Sequence, residues 1–555
     1  MAADEHEITV KPEILLMEDL MTLIDQGKLR VPRFQRPFVW RPQQILDLFD
    51  SIERGYPIGS LLFWETHEEY TTFESIGGIE PPGEPAAGSA VSYVLDGHQR
   101  LSALYGTLRR PEALARSAEQ RDWMWWPYRT LGETDDGLNR YRHWKSAMPP
   151  PSHYLPLRSV LRTMEFLSFS RALLDDPPEG ADPDRLIREA EVIAQRIRSY
   201  RISVVRLVGG DLTNAVEVFS RVNSTGQAMR PTEMVSALTY RKGEGPTLAE
   251  RLDGMVEQVA DTGFGEVSSD ALFRAVLAVA GEDNVQEARW EVLAKRIQEG
   301  LGDSAEATQE GLIRAVVFLR DTVGVPLARL IPYDAQLMLL VTFFHECPEP
   351  SARQLSELAR WFWVTSWSGF FAGANTTQIK QAIQQMRRFA KDGGSITPAD
   401  VRAQPFPSRF DLRSARVRAF IIWELREFPD RLAADGSELK GVDILAHEAT
   451  AAYRHIVRKR GLPATSSPAN RVIMTTEPGV SVKRTLLDLP DGIRDQVLAG
   501  HGIPKEAMDL LVAGDEEGFI KSRRDFLADR ERAFMTRYGL AAALEWDSEP
   551  DIDTG

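Results

Sequence analysis

The chain has 555 residues, several times the usual size of one domain, so two to four domains are expected. Its 43% apolar and 26% charged content is that of a globular protein, and a net charge of −15 argues against a uniformly basic DNA-coating protein while leaving room for local basic patches. The single cysteine, Cys347, excludes a disulfide within the chain and a zinc site built on cysteines.

Met1 to Val10 is acidic and polar, without the apolar centre of a signal peptide, and the longest apolar run, Ala335 to Phe344, is too short to span a bilayer. A soluble, cytoplasmic protein with no membrane contact is expected. Ile14, Leu15, Leu20, Leu23 and Ile24 recur at helical spacing, which predicts a helix over 13–27 ending at Gly27. Leu29 to Trp40 holds two prolines among arginines and Gln35, and reads as extended. A helix follows Pro42, with Ile45, Leu46, Phe49 and Ile52 on one face, and stops near Gly55. Leu61 to Trp64 and Tyr93 to Leu95 are short buried strands, separated by a loop over 78–90 rich in glycine, proline and alanine. Ile202 to Leu207 is a third strand, followed by a helix and Phe219-Ser220-Arg221-Val222-Asn223-Ser224-Thr225-Gly226. From about 245 to 430 the pattern is helical, with a break at Pro405 to Pro407, and a separate unit begins near 430.

The strand–Asp96-Gly97-His98-Gln99-Arg100–helix unit carries the sharpest chemical signal. A glycine at such a turn lets the backbone approach a ligand, and the helix N-terminus that follows suits phosphate. Arg100 can fork onto phosphate oxygens, and Asp96 can hold a metal or orient water. As a first-turn arginine facing an open pocket, Arg100 is expected to carry little of the core. The bland alternative is a capped turn with a solvated arginine. Arg33, Arg36 and Arg41 with Trp40 can line an anion or nucleic-acid groove, or be solvent-exposed beside a core tryptophan. Arg221 to Gly226 can be a ligand loop or a glycine helix cap.

Taken in order, Val31-Pro32-Arg33-Phe34-Gln35-Arg36-Pro37-Phe38-Val39-Trp40, Tyr56-Pro57-Ile58-Gly59-Ser60, Leu95-Asp96-Gly97-His98-Gln99-Arg100-Leu101 and Phe219 to Gly226 resemble the N-terminal domain of GmrSD-type modification-dependent restriction enzymes. That family is ParB/sulfiredoxin-like in fold. The resemblance covers about residues 10–240, and Trp361-Phe362-Trp363 with Phe370 and Phe371 extends it to about 425; by periodicity alone those aromatics read as core. It implies nucleotide binding and hydrolysis at an Asp-Gly-Gln-Gln-Arg motif. Asp96, Gly97, Gln99 and Arg100 match that motif, and His98 departs from it. Asp96, Gln99 and Arg100 are the implied catalytic residues; Arg33, Gln35, Arg36, Gly59, Ser60, Gly97, His98, Arg221 and Asn223 are the implied nucleotide contacts.

Past residue 430 the chain resembles the family's HNH-type nuclease domain at Pro468-Ala469-Asn470-Arg471-Val472, Gly479 to Lys483 and His501-Gly502-Ile503-Pro504. The usual His-His-Ile-Phe-Pro motif is missing, and Asp443, His447 and His455 are the nearest substitutes. His447 and Asn470 are the candidate catalytic residues of a domain expected to be degenerate. Between Ala449 and Thr476 the chain holds Arg454, Arg458, Lys459, Arg460 and Arg471 and no acid, which suggests a phosphate-facing surface or a solvated basic face.

The expected architecture is α+β: a ParB/sulfiredoxin-like domain over 10–240, a helical domain over 241–428 and a small HNH-like α+β domain over 429–545. The expected activity is an NTP-binding and hydrolysing sensor in anti-phage defence, coupled to recognition or cleavage of modified phage DNA. ATP, GTP and CTP are not distinguished, Mg²⁺ or Mn²⁺ is the implied ion at unassigned ligands, and a defence-system partner protein and homo-oligomerisation stay open. The alternative is a non-catalytic, nucleotide-switched DNA-binding or regulatory subunit whose nuclease is another chain.

Overall fold

Long-range pairing divides the segment expected as one helix over 13–27. In a computed structural model of the chain, Thr9–Leu16 is strand β1 and helix α1 covers Met17–Asp25. β1 lies antiparallel to β8 (Arg201–Val208), with Thr9 opposite Val208 and Leu16 opposite Arg201, so its backbone bonds close onto a segment far along the sequence. Leu20 and Ile24 keep their helical spacing and are buried. The structure describes residues 8–33, 35, 37–86, 88–111, 122–132, 140–146, 148–212, 214, 215, 218, 235, 246–286, 301–399, 401–459 and 461–540. Their contacts form two compact units, one up to Ala249 and one from Glu250. Both helices and sheets are present, so the chain is α+β.

The first unit is built on a mixed sheet. Its other strands are β2 (Leu29–Arg30), β3 (Leu61–Thr66) and β4 (Val91–Asp96), in the order β1-β8-β3-β4-β2. β8 runs parallel to β3 and β4 parallel to β2, and the remaining pairs are antiparallel. The alternation of side chains makes two apolar faces. Phe63 and Val94 join the main core with helix α2 (Pro42–Glu53), whose Ile45, Phe49 and Ile52 are buried as its pattern predicts. Helix α3 (His98–Leu108) is buried almost throughout, and α4 (Thr163–Asp175) and α5 (Pro183–Arg198) add to the same core. Leu62, Trp64, Tyr93, Leu95 and Leu207 form a smaller core on the other face.

A second sheet of β5 (Pro127–Thr130), β6 (Tyr141–His143) and β7 (Tyr154–Pro156) is fastened to this core by a buried charge. The Arg129 guanidinium meets Glu53 at 2.8 Å and Glu189 at 3.3 Å, while the Tyr141 hydroxyl donates to Glu53 at 2.6 Å. Burial opposes the charge on Glu53, yet bonds from Arg129 and Tyr141 hold its carboxyl below the ordinary range.

The second unit is mainly helical. Helices α6 (Leu248–Val259), α7 (Ser269–Val279), α8 (Leu301–Val317) and α9 (Asp334–Glu346) precede α10 (Ala352–Ser368), α11 (Thr376–Asp392) and α12 (Ala415–Glu427). Then come α13 (Gly441–Glu448), the two-stranded sheet of β9 (Tyr453–His455) and β10 (Arg471–Ile473), α14 (Val482–Leu487), α15 (Asp491–Gly500), α16 (Lys505–Val512) and α17 (Glu516–Arg537). Trp363 and Trp367 stack with centroids 4.7 Å apart and pack edge-on against Phe534 of α17. Glu531 of α17 pairs with Arg416 of α12 at 2.6 Å and accepts from the Trp367 indole at 3.2 Å. The boundary expected near 428 therefore runs through a shared core. Among the described residues no helix is long and apolar enough to cross a membrane.

Arg523 of α17 organises the region around β9 and β10. Fully buried, it donates to the carbonyls of Gly502, Ala469, Arg471 and His501 at 2.6–3.1 Å. Beside it, burial holds the His501 imidazole down at about 4, with the Leu432 carbonyl only partly offsetting the effect. A histidine with a folded pKa below its unfolded value of about 6.5 gains a proton on unfolding between those two values. The second unit should therefore keep full stability above pH ~6.5 and lose up to about 1.4 kcal/mol per unit as pH falls from there toward 4. Urea unfolding across this window, followed by tryptophan fluorescence, measures the slope, and His501→Gln should flatten it. A slope equal to wild type in that variant would contradict the assignment.

Candidate functional site

β4 ends on Asp96, and the chain turns into α3 through Gly97 at φ 90°. A Cβ there would lie 2.2 Å from a Leu61 methyl carbon, so both the conformation and the space require glycine. One turn into the helix, the Arg100 guanidinium pairs with Asp96 at 3.0 Å and donates to the Ile58 carbonyl at 2.7 Å. Gly59 lies against it at φ 82°, and a Cβ at that position would come within 2.6 Å of Arg100 Nη1. Two of the sequence motifs are thus interlocked. Strand register places them at one end of the sheet, since Leu62 is opposite Asp96 and Leu61 opposite Val204.

This geometry changes the expected part of Arg100. Its side chain is 17% exposed and is engaged within the protein, so it braces the turn as well as adding charge to it. Gln99 is also a brace. Its side-chain amide donates to the Pro37 carbonyl at 3.0 Å and accepts from the Val39 N–H at 2.9 Å, clamping the extended segment as a neighbouring strand would. Gln35 reaches back to the Leu95 carbonyl at 2.9 Å. The buried His98 ring stacks on Phe73, 5.8 Å between centroids and 14° between planes. Arg33 is exposed, and its N–H donates to the Thr71 carbonyl. Arg36, Arg221 and Asn223, with the whole Phe219–Gly226 segment, lie outside the described residues.

Gly59 and Ser60 open onto a cleft of about 790 Å³. Its other walls come from the end of α2, the end of α5 and the start of β8, which contribute Arg54, Arg196, Arg201 and Ser203. The Tyr200 hydroxyl, on the α5–β8 connection, donates to the Tyr56 carbonyl at 2.7 Å and ties the two rims together. Arg54 is paired with Asp50; among the described residues Arg196 and Arg201 make no ion pair. The one carboxylate of the lining, Glu53, is taken up by Arg129 and Tyr141, so these residues suit an anion and do not fit a protein-held Mg²⁺ or Mn²⁺. Asp96, Gly97, Gln99 and Arg100 stand behind the Ile58–Gly59 rim and outside the lining. Sequence reasoning misses Arg196 and Arg201. The available signal is Arg196-Ile197-Arg198-Ser199-Tyr200-Arg201, a basic turn between a helix and a strand, but nothing local ties it to Gly59.

In the second unit, the exposed His447 places Nδ1 2.7 Å from the carbonyl of Asp443 in its own helix. Asn470, expected as catalytic, is fully buried; its amide accepts from the Val457 N–H at 2.8 Å and donates to the carbonyls of Val457 and Thr465. It fastens a loop and presents nothing to a substrate. Burial, with Arg471 and Arg458 nearby, holds the His455 imidazole below its ordinary range. Among the described residues no three histidine, cysteine or carboxylate side chains form a metal-binding group. Of the basic run, Arg454 donates to Thr476 at 3.0 Å and faces Glu448 at 3.9 Å, while Arg458 and Lys459 are exposed without an ion pair among the described residues. Arg460 lies outside the described residues.

Residues 17–240 match the family model described as the GmrSD restriction endonuclease N-terminal domain. The chain is also similar to an uncharacterized protein of Methanocaldococcus jannaschii, at 19% identity over 412 residues that take in 68% of each chain.

The clamp on the extended segment makes a direct prediction. Gln99→Ala removes the partner of the Val39 N–H and the Pro37 carbonyl, at about 0.5–1.5 kcal/mol for each bond lost, since both residues are exposed and water can replace the amide. Hydrogen exchange over residues 37–40 should accelerate by roughly tenfold or more, with little change in the second unit. Unchanged protection would show that Gln99 does not hold the segment.

Proposed function

With a GmrSD-type N-terminal domain over residues 17–240, we propose that this chain is a restriction-type defence protein whose first unit binds and turns over a nucleoside triphosphate and whose second unit contacts DNA. The observation that carries the nucleotide reading is the arginine-walled cleft beside Gly59 and Ser60. Arg196 and Arg201, with Arg54 beside them on its pair with Asp50, suit a polyphosphate, because a guanidinium without an ion pair can offer forked donors to phosphate oxygens. The Asp96–Arg100 clasp supports this site from behind by fixing the backbone of the Ile58–Gly59 rim. On this reading Asp96, Gln99 and Arg100 position the cleft, and the arginines contact the ligand. The mixed sheet supports a ParB/sulfiredoxin-like assignment of the first unit, and the β9–β10 pair with its flanking helices supports an HNH-like assignment of the last part of the second.

A second reading has its own support. Asn470 is buried and consumed by backbone bonds, so it is not presented as a nuclease residue, and among the described residues no group of three histidine, cysteine or carboxylate side chains stands ready to hold a metal with the exposed His447. A nucleotide-switched DNA-binding subunit, with cleavage supplied by another chain, fits that geometry. Cleavage of plasmid by the purified full-length chain separates the two readings.

Nucleotide affinity and turnover test the cleft. Arg196→Ala and Arg201→Ala each remove a charge-assisted contact of about 1.5–3 kcal/mol, which is roughly ten- to hundredfold in affinity for ATP, GTP or CTP. Both positions lie at the cleft edge, so the melting temperature should hold. Wild-type affinity in both variants would sink the assignment.

DNA contact is read from salt dependence. Replacing Arg454, Arg458 and Lys459 together should weaken duplex binding and flatten the log–log salt slope by about 0.9 for each phosphate no longer neutralised. Arg458 and Lys459 carry most of the expected change because Arg454 is engaged by Thr476. An unchanged slope means that these cations are only solvated.

A further inference from the structure

The second unit contains a cavity of about 410 Å³ between α10, α11 and the strap that follows α11. Its inner wall is aromatic: Trp361, Phe371 and Phe389 are buried there with Met386. Phe371 meets Trp361 edge-on at 6.1 Å and Phe370 edge-on at 5.1 Å. Phe370 follows the left-handed Gly369 that ends α10, and it is 39% exposed, unlike the rings behind it. Gln385 and Arg388 stand on the same rim, both exposed, and Arg388 makes no ion pair among the described residues.

The strap of the facing wall is tied down by one carboxylate. Glu357 accepts from the Ser395 hydroxyl at 2.6 Å and from the Ile396 and Thr397 N–H groups at 3.1 Å. Those bonds take up the Ser395 hydroxyl and two backbone donors of the strap, and Ile396, Thr397 and Pro398 line the cavity on this side. A ligand thus meets buried rings on the inner wall, a mixed wall of Ile396, Thr397 and Pro398 on the other, and one exposed ring, an amide and a cation at the rim. A planar heteroaromatic ring bearing a phosphate satisfies all of these at once.

We propose that this cavity receives a single unstacked nucleobase, with Phe370 as its stacking face and Arg388 holding the attached phosphate. The base can come from a free nucleotide or from a nucleic-acid strand. The inference does not depend on the triphosphate cleft of the first unit.

The full-length chain is titrated with two probes: free 2-aminopurine riboside monophosphate, and a single-stranded oligonucleotide carrying one 2-aminopurine. Stacking on an aromatic side chain is read from the probe's fluorescence. Phe370→Ala and Arg388→Ala, both at exposed positions, should each weaken binding by roughly tenfold. Arg201→Ala, which disturbs only the other cleft, should leave this binding intact. A response to the oligonucleotide alone assigns the base to a strand, and a response to both probes admits free nucleotide. Weaker binding in Phe370→Ala with wild-type affinity in Arg388→Ala would remove the phosphate from the assignment. Wild-type affinity in both rim variants, no response by the wild-type chain, or weaker binding in Arg201→Ala alone, would overturn it.

Discussion

The first unit depends on where the Arg100 guanidinium is held. It sits between a carboxylate one helical turn back and the Ile58 carbonyl of a loop well before it in the chain. As an ion pair the contact with Asp96 is modest, since that carboxylate is 39% exposed and solvent screens it. Its importance is geometric. The same guanidinium that closes the turn after β4 also fixes the Ile58 peptide, and Gly59 and Ser60 follow directly into β3. The cleft rim is therefore carried by the motif behind it. The Glu53–Arg129–Tyr141 cluster steadies the opposite side at the end of α2.

How much of this is legible in the sequence depends on whether the deciding interaction is local. Pro42 and the apolar face of α2 specify that helix from within, and it forms as expected. The glycine turn at Gly97 is also local, because strand, glycine and helix adjoin. β1 departs from expectation because Ile14 and Leu15 fit helical spacing, while the ladder that makes them a strand comes from residues 201–208. Gly59 and Ser60 are tied to the site by resemblance, but Arg196 and Arg201 reach it through α5 packing against α2, which no local pattern records. Asn470 misleads for the opposite reason. An asparagine in a familiar run looks reactive until its burial and its three backbone bonds are seen.

The second unit uses buried charge in another way. Arg523 is fully buried and spends its donors on backbone carbonyls; that burial lowers its pKa to about 10. Glu424 accepts from Arg431 and Tyr453 close by, and Glu531 from Arg416 and Trp367. Such groups are costly to dehydrate, and their value lies in fixing one arrangement of helices against loops. They also explain why the helical region and the C-terminal segment share a core. The aromatic run divides accordingly: Trp363 and Trp367 face α17, whereas Trp361 faces the cavity beside α11.

The contact between Gly59 and Arg100 couples two positions that are far apart in the chain. With 2.6 Å between Arg100 Nη1 and the place of a Cβ on residue 59, a side chain there obliges the tip of Arg100 to move while the loop keeps its course, and the left-handed backbone at φ 82° disfavours the change as well. A change at one position is therefore felt at the other. In a lineage that loses the glycine, the guanidinium of residue 100 has to shift, and its hold on Asp96 and the Ile58 carbonyl shifts with it. Paired change at 59, 96 and 100 is then the mark by which descendants that have rebuilt this turn can be told from those that have kept it.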